Sequence, residues 1–330
     1  MDRDTGFGEA VAHAVATLPA SSDPEHEWLW IIHDDLSVER SALENLIAEV
    51  DSRPNVAMAG PKLLGWHDRT HLLEIGISIA ANGNRWTGLE PAEYDQGQRD
   101  GVHEVLAVST AGALIRRDVF EKLGGFDPNL DLFRDDVDFG WRLYSAGFAA
   151  IAVSSAVAFH AEASANERRS VDVAEAFLHR PLLLDRRNAA YVLLVNSSWW
   201  RLPLLTVQLL AGAIFRSIAF LFAKLPGYAG DEILAVGTQF LHPAELVRAR
   251  KVRKLQRLVP SGIALRFIPS RWSQLRLAAS RSAEWVREQL FPSEITEVRN
   301  PSLLDENLDE EDLLTPANSR SWITLLKRPL

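Results

Sequence analysis

Two acidic clusters and one histidine stand out because each lies at the end of a predicted structural element. The triplet His33-Asp34-Asp35 closes the apolar run 28–32, and Asp135 and Asp136 begin an amphipathic stretch. His160 ends a second apolar run further along the chain. Carboxylates and imidazoles bind divalent cations, and a carboxylate can also act as a general base. The set therefore suits a divalent metal beside a general base.

Alternating apolar and amphipathic segments predict the elements that must position these side chains. The run 28–32 is short and continuously apolar, as in a strand buried on both faces, whereas 37–50 has apolar residues at helical spacing. Residues 105–115 and 151–159 are also strand-like. Such alternation predicts an α/β fold, with a mostly parallel sheet and helices on both of its faces. Ligands of such sheets bind beyond the carboxyl ends of the strands, where the His33-Asp34-Asp35 triplet falls.

Composition narrows the classes of function. The 330 residues are 47% hydrophobic, which is enough to bury a sizeable core. A net charge of −9 argues against nucleic acid as a partner, because a phosphate-binding surface needs clustered Lys and Arg. The absence of cysteine excludes disulfides and thiolate chemistry.

Four blocks occur in order along roughly residues 1–195. They are Gly6-Phe7-Gly8, WLWIIHDD (28–35), TAGALIRRDVFEKLGGFD (110–127) and DDVDFGWRLYSAGF (135–148), the last followed by His160. In order and spacing they resemble the family 2 glycosyltransferases, which are inverting nucleotide-sugar enzymes of the GT-A fold. The likeness leans toward bacterial members that build cell-envelope polysaccharides.

The resemblance implies a GT-A-like (Rossmann-like) domain over residues 1–195. Such a domain transfers a sugar, as a hexosyl- or rhamnosyltransferase does, from a nucleotide-diphosphate donor to a hydroxyl group. The acceptor would be a glycan or a polyprenyl-linked sugar. In the family, a βαβ unit that cradles the nucleotide normally precedes the block at Gly6-Phe7-Gly8. The domain is therefore expected to be N-terminally incomplete, and the alternative function is an inactive remnant that acts as a membrane scaffold or binding module.

The resemblance also implies a metal site. The family's aspartate triplet ends with a metal ligand, and Asp35 matches that position, with Asp34 beside it toward the donor. His33 replaces the first carboxylate, so it can coordinate or hydrogen-bond without bringing negative charge. His160 matches the family's metal-binding histidine. Mg²⁺ or Mn²⁺ is thus the expected cofactor, although Asp34 or Asp35 could instead simply cap the following helix.

The pair Asp135-Asp136 resembles the family's Glu-Asp pair, whose second member is the catalytic base. The acceptor hydroxyl must lose its proton as it attacks the anomeric carbon, and a nearby carboxylate can accept that proton. Asp136 is therefore the predicted base. Asp135 would orient the acceptor or raise the basicity of its neighbour. The alternative, which is compatible with catalysis, is that both residues cap the next helix.

Gly112, Trp141 and Arg142 are further candidates for the donor and acceptor sites. Gly112 resembles the small residue that lets the donor sugar approach the backbone. Trp141 and Arg142 follow the acidic pair and could line the acceptor site. Close packing is the alternative for Gly112, and a core position is the alternative for Trp141. Residues 66–101, rich in glycine and polar groups, predict a β-hairpin or loop over the active face.

The second half of the chain changes character. Residues 202–223 hold one charge, Arg216, and are long enough to span about 30 Å of hydrocarbon as a helix. An interfacial helix would tolerate that charge better than a spanning one, and Trp199-Trp200 lies at its edge as in an aromatic belt. The alternative is a buried helix of a soluble domain.

A basic stretch follows at residues 246–287, and its charge favours anionic lipid headgroups on the cytoplasmic side. We therefore predict that 196–290 is an apolar, then basic, helical segment that associates with lipids at the cytoplasmic face of the cell membrane. Residues 291–330 are acidic and predict a flexible tail or linker.

Overall fold

The structure is a computed structural model of the chain. It describes most of residues 6–276, and all of the described residues lie in one compact unit, Met1–Leu277. The predicted acidic tail and the C-terminal part of the basic stretch lie outside the described residues. The described ranges are 6–19, 22–23, 26–90, 92–161, 181–222, 224–260, 262–270, 272–274 and 276.

A seven-stranded sheet forms the centre of this unit. Two further strands, which lie between the fourth and seventh strands along the chain, pair with each other as a separate hairpin. The strands are β1 (Trp28–Trp30), β2 (Leu36–Val38), β3 (Val56–Gly65), β4 (Leu72–Glu74), β5 (Ser78–Ile79), β6 (Arg85–Trp86), β7 (Val102–Val105), β8 (Leu114–Arg116) and β9 (Ala149–His160).

The sheet has the strand order β1-β8-β3-β9-β2, with β4 paired to β3 and β7 paired to β9. The pair of β3 and β9 is parallel, and the other pairs in the described sheet are antiparallel. The α/β class is confirmed, but this mixed pairing differs from the mostly parallel sheet that the sequence predicts. A parallel pair requires a long crossover, whereas the short strands β4 and β7 reach their partners antiparallel.

Helices surround the sheet and continue beyond it in sequence. They are α1 (Phe7–Ala16), α2 (Ala42–Asp51), α3 (Arg117–Lys122), α4 (Asp135–Ser145), α5 (Pro181–Asn196), α6 (Leu202–Phe222), α7 (Pro226–Leu241) and α8 (Pro243–Gln256), with short 3₁₀ turns at Trp199–Arg201 and Ile263–Phe267.

The core lies where helices cover β3 and β9. Every residue of β3 is buried, including Lys62, which pairs with Asp95 and Asp100. The helix α2 buries Ala42, Leu46 and Val50, which recur every four residues and so share one face toward β3 and β9. All eleven residues of α4 are buried, including its acidic first turn. The helix α4 is therefore surrounded by protein on every side.

The predicted long apolar helix is present as α6. It buries Leu205, Leu209, Ala213 and Ser217, so one face packs against protein, and it leaves much of its remaining apolar surface exposed. Within the described residues, Trp199–Phe222 is the one helix long and apolar enough to cross a membrane by length and composition.

Candidate functional site

The three predicted metal ligands come together at the ends of β2 and β9. In that ladder Leu36 lies opposite His160, and the Ala161 N–H donates to the carbonyl of Asp35 at 3.1 Å. This register places Asp35 beside His160, with His160 Nε2 3.1 Å from Asp35 Oδ1. His33 Nδ1 lies 4.0 Å from the same oxygen. Ligand atoms of all three side chains lie within 4.8 Å of one another.

The chemistry of this donor set fits a divalent cation. His33 shares a hydrogen bond of 3.1 Å between its Nε2 and Thr110 Oγ1. Burial and the neighbouring His160 lower the pKa of His33, against the opposite effect of Asp35. A lowered pKa keeps this imidazole neutral near pH 7, which is the form that binds metals. Two imidazole rings and one carboxylate thus converge in a partly buried position.

Asp34 does not join this group of ligand atoms. Its side chain is exposed, whereas Asp35 is partly buried. The two neighbouring aspartates therefore differ in position, and Asp35 faces the histidines.

The carboxylate of Asp136 lies at the first turn of α4 and has contacts on both oxygens. Its Oδ1 accepts a hydrogen bond of 2.6 Å from the Val137 N–H. Its Oδ2 accepts one of 2.8 Å from Arg85 Nη1. Arg85 also forms a two-pronged ion pair with Glu74, at 3.0 and 3.1 Å. Arg85 thus bridges two carboxylates.

The antiparallel pair β5–β6 carries Arg85 to this position, within the region 66–101 that the sequence predicts as a hairpin or loop. Sequence reasoning missed Arg85 and Glu74 as site residues. The prediction of a hairpin over the active face was the available signal, because a basic residue there would face the acidic pair.

Asp135 is a buried carboxylate whose surroundings disfavour its negative charge. Its Oδ2 has no hydrogen-bond partner within the described residues. Burial and the adjacent Asp136 raise the pKa of Asp135 to about 7, against the opposing charge of Arg85. Asp135 therefore holds a proton part of the time at neutral pH.

The acidic pair Asp135-Asp136 acts electrostatically, through Asp136, on the group formed by His33, Asp35 and His160. The charge of Asp136, like that of Asp35, acts to raise the pKa of His33. Since such effects weaken with distance, the carboxylate on α4 and the cluster at the ends of β2 and β9 share one neighbourhood.

The backbone before the acidic pair has an uncommon conformation. Phe133 and Arg134 both have positive φ, at 66° and 71°. A non-glycine residue in this left-handed region costs roughly 1–3 kcal/mol and persists only where its surroundings hold it. Such strain is concentrated at functional sites, so its position directly before Asp135 and Asp136 is informative.

Trp141 and Arg142 are both buried, and Arg142 also lines a cavity of about 260 Å³ near α8. Trp141 is 1% exposed and so has no free face on which a sugar could stack. Arg142 donates to Asp138 at 2.7 Å and to the carbonyls of Leu123 and Gly125 at 2.9 and 2.8 Å. The donors of Arg142 are therefore engaged within the fold, and the acceptor-lining role of both residues stays a prediction.

Gly112 lies beside the segment that leads to His33. Its N–H donates to the Ile31 carbonyl at 2.9 Å, and its φ is +95°. A Cβ there would also lie 3.0 Å from the Pro61 ring. Backbone conformation and close packing both require glycine here.

A buried ionic network lies behind α4. Arg253 on α8 pairs with Asp127 and, at 2.8 Å, with Asp138. Burial would raise the pKa of Asp138, but Arg253 and Arg142 outweigh it and hold that pKa at about 2. Two cavities of about 260 and 330 Å³ lie near α8, and both share Pro128, Asn129 and Glu245 in their walls. Neither is lined by Asp35, Asp136 or His160.

The chain is similar in sequence to known glycosyltransferases and to a protein of O-antigen biosynthesis. The family model described as "Glycosyltransferase like family 2" matches residues 2–174, just over half of the chain. The O-antigen biosynthesis protein RfbC of Myxococcus xanthus is 28% identical over 181 residues, which cover 52% of this chain. The match spans only 14% of the length of RfbC.

Two further proteins are similar to this chain, one in sequence over 224 residues and one in structure over 70% of the chain. The N-acetylglucosaminyl-diphospho-decaprenol L-rhamnosyltransferase of Mycobacterium tuberculosis is 26% identical over 224 residues, covering 60% of this chain and 67% of that protein. Among solved structures, GalNAc-T7 with UDP, GalNAc and Mn²⁺ aligns with a TM-score of 0.43 and 13% identity. That alignment covers 70% of this chain and 42% of the other.

Proposed function

Because the chain belongs to the glycosyltransferase like family 2, we propose that it transfers a sugar from a nucleotide-diphosphate donor to a hydroxyl group, with inversion. The acceptor is a glycan or a lipid-linked sugar of the cell envelope. The names of the relatives support this, since one is an O-antigen biosynthesis protein and another an L-rhamnosyltransferase that acts on a diphospho-decaprenol-linked sugar. The observation that carries the proposal is the convergence of Asp35, His33 and His160, whose ligand atoms lie within 4.8 Å of one another, in a chain that also holds a buried acidic pair at the start of α4.

Asp136 acts as the general base in this proposal. Its carboxylate is held by the Val137 N–H and by Arg85, which fixes its orientation. Each carboxylate oxygen has two lone pairs, so one remains on each oxygen for the acceptor proton. A base held in this way removes the proton as the acceptor oxygen attacks the anomeric carbon, and a single displacement inverts that carbon.

Asp135 supports the base rather than replacing it. With a pKa raised to about 7 by burial and by Asp136, it carries a proton part of the time at neutral pH. Two adjacent carboxylates that share a proton repel each other less than two anions do. The protonated form also donates a hydrogen bond, which suits the oxygen of an acceptor.

Asp35, His160 and His33 are the residues that would hold Mg²⁺ or Mn²⁺. Their nitrogen and oxygen donors converge within 4.8 Å, and His33 is kept neutral by burial. When bound, such a cation stabilises the negative charge that develops on the departing diphosphate.

We also propose that α6 lies at the cytoplasmic face of the membrane rather than crossing it. Arg216, in the second half of the helix, donates to Glu232 of α7 at 2.8 Å, and Glu232 is fully buried. That pair and the buried face of α6 tie the helix to protein, whereas its other side exposes apolar residues such as Phe215. A helix with one apolar face free and one face packed suits the interface between headgroups and acyl chains.

Calorimetry with a panel of nucleoside diphosphates, UDP included, tests the donor site in the full chain. We expect at least one diphosphate to bind in the presence of Mn²⁺ and to lose most of its affinity in Asp35→Asn. Asp51→Asn, an exposed carboxylate at the end of α2, is the matched control and should bind normally. Absence of metal-dependent binding across the panel would contradict the proposal and favour the inactive scaffold.

A further inference from the structure

We infer that α5 positions the proposed base, because Asp185 and Asn188 hold the left-handed backbone at Phe133 and Arg134 from which Asp136 follows. This inference rests on the proposed function, and it adds two residues that lie beyond the matched range 2–174.

The start of α4 is not held by a cap of its own. Arg134 is the N-cap residue, and its side chain makes no capping hydrogen bond. Both Arg134 and Phe133 have positive φ, a conformation that favours glycine. The loop therefore reaches Asp135 and Asp136 in a geometry that neither its sequence nor a local cap stabilises. Contacts from elsewhere must supply that stability.

The helix α5 supplies those contacts with two side chains three residues apart. Asp185 accepts two parallel hydrogen bonds from the Arg134 guanidinium, at 2.7 and 3.0 Å. Asn188, which is 1% exposed, donates to the carbonyls of Leu132 and Phe133 at 2.5 and 3.2 Å. Residues three apart on a helix lie on one face. One face of α5 thus fixes both the backbone and the side chain immediately before the acidic pair.

A second helix holds the same segment from another direction. Arg253 of α8 donates to Asp138, two residues after the proposed base. The two contact sets bracket Asp136 along the chain, so a loss of the α5 contacts alone frees one side of the first turn. A misplacement of a reacting group by about 1 Å can slow a reaction about 100-fold.

The test compares Asp185→Asn and Asn188→Ala with the unaltered full chain in a transfer assay. We expect kcat to fall about 10- to 100-fold in each, while the KM for the donor stays within about twofold, because the donor site is unchanged. Arg186→Lys, which keeps the positive charge beside the buried Glu232, is the matched control. Its side chain also projects from α5 but contacts Glu232 and Asn84 instead of the loop, so transfer should continue normally.

Rescue separates positioning from loss of folding. Phe133→Gly in the Asn188→Ala background should restore part of kcat, about threefold or more, because glycine adopts positive φ without strain. Phe133→Ala should not restore it. Normal kcat in both α5 variants, or equal rescue by Ala and Gly, would overturn the inference.

Hydrogen exchange of the amides over 132–138 gives a readout that does not depend on transfer. Exchange should be faster in Asp185→Asn and Asn188→Ala than in Arg186→Lys. If the unaltered chain transfers no sugar, the proposed function fails, but faster exchange still supports the positioning role. Unchanged exchange would overturn that role whatever the activity.

Discussion

Arg85 is the residue that connects the hairpin β5–β6 to the chemistry. It shares its guanidinium between Glu74 and Asp136, and its charge lowers the pKa of Asp135. An arginine in this position can orient Asp136, the proposed base, and limits the repulsion between two adjacent carboxylates. This makes Arg85 the natural target for a test of the electrostatics at the site.

We expect Arg85→Met to lower kcat/KM about 10- to 100-fold, because Asp136 loses the contact that orients it. The acid limb of the pH profile of kcat/KM should also move to higher pH by about one unit, since a nearby positive charge has been removed from the acidic pair. Arg99→Met, which removes an ion pair with Glu93 in the same 66–101 region, is the control. An unchanged acid limb in Arg85→Met would argue against this electrostatic role.

The raised pKa of Asp135 predicts a pH-dependent cost to stability. In the folded chain this carboxyl holds its proton up to about pH 7, whereas in the unfolded chain it loses it near pH 4. The folded state therefore binds more protons than the unfolded state between those pH values. The contribution of the Asp135 carboxyl to the free energy of unfolding falls as the pH rises from about 4 to 7.

Asp135→Asn should remove that dependence. We expect urea unfolding at several pH values to show that the free energy of unfolding of the variant rises relative to that of the unaltered chain as the pH rises. Above pH 7 the difference should be roughly 1–3 kcal/mol, because a neutral amide then replaces a buried carboxylate with an unpartnered oxygen. A difference that stays constant from pH 4 to 8 would contradict the raised pKa.

Several site residues could be predicted from the sequence, and others could not. His33, Asp35 and His160 stand at strand ends in a recognisable order, so their meeting was predictable, and the fold brings them together. The contact of Arg85 with Asp136 depends on how a short hairpin folds back, which no local pattern encodes. Trp141 follows the acidic pair closely in sequence, which predicted that it lines the acceptor site. Sequence distance alone does not show which face of the fully buried helix α4 carries Trp141.

At the scale of elements, α4 depends on the helices that follow the sheet. Arg253 of α8 meets Asp127 and Asp138, and both carboxylates are buried. Because Arg253 and Arg142 hold the pKa of Asp138 at about 2 against burial, this pairing stabilises the fold above about pH 4. Its contribution is lost as the pH falls toward 2.

Arg253→Met should lower the free energy of unfolding by about 3–5 kcal/mol at pH 7, because it leaves buried negative charge without its partner. Lys254→Met, an exposed neighbour on the same helix, is the control and should change it by less than about 0.5 kcal/mol. Denaturant unfolding measures both. Equal stability of the two variants would show that the buried network does not hold α8 to α4.

Periodicity predicted most elements better than it predicted their pairing. The strand at 151–159 corresponds to β9, and the helix predicted over 37–50 corresponds to α2 only from Ala42, because Leu36–Val38 forms β2. The direction of the pairs was not predictable, because burial produces the same apolar run in a central strand whether its neighbours are parallel or antiparallel. The domain boundary after residue 195 stays a prediction, and in the described structure α5 contacts α4 on one side and α7 on the other.

At the scale of the whole molecule, the exposed face of α6 carries the proposal of membrane association. Ile214→Gln combined with Phe215→Gln should weaken binding to anionic liposomes at least about 10-fold, since each buried apolar side chain contributes about 1.5–3 kcal/mol. Both side chains are exposed, so the fold should persist. Trp66→Gln, an exposed aromatic outside α6, is the control. Equal sedimentation of all forms with liposomes would contradict an interfacial α6.

The most direct test of the central claim is Asp136→Asn in the full chain, measured for both sugar transfer and nucleoside-diphosphate binding. We predict that transfer falls about 100- to 10,000-fold while binding with Mn²⁺ is retained, because asparagine keeps the shape of the side chain but cannot accept the proton. Transfer at the unaltered rate would contradict the assignment of Asp136 as the base.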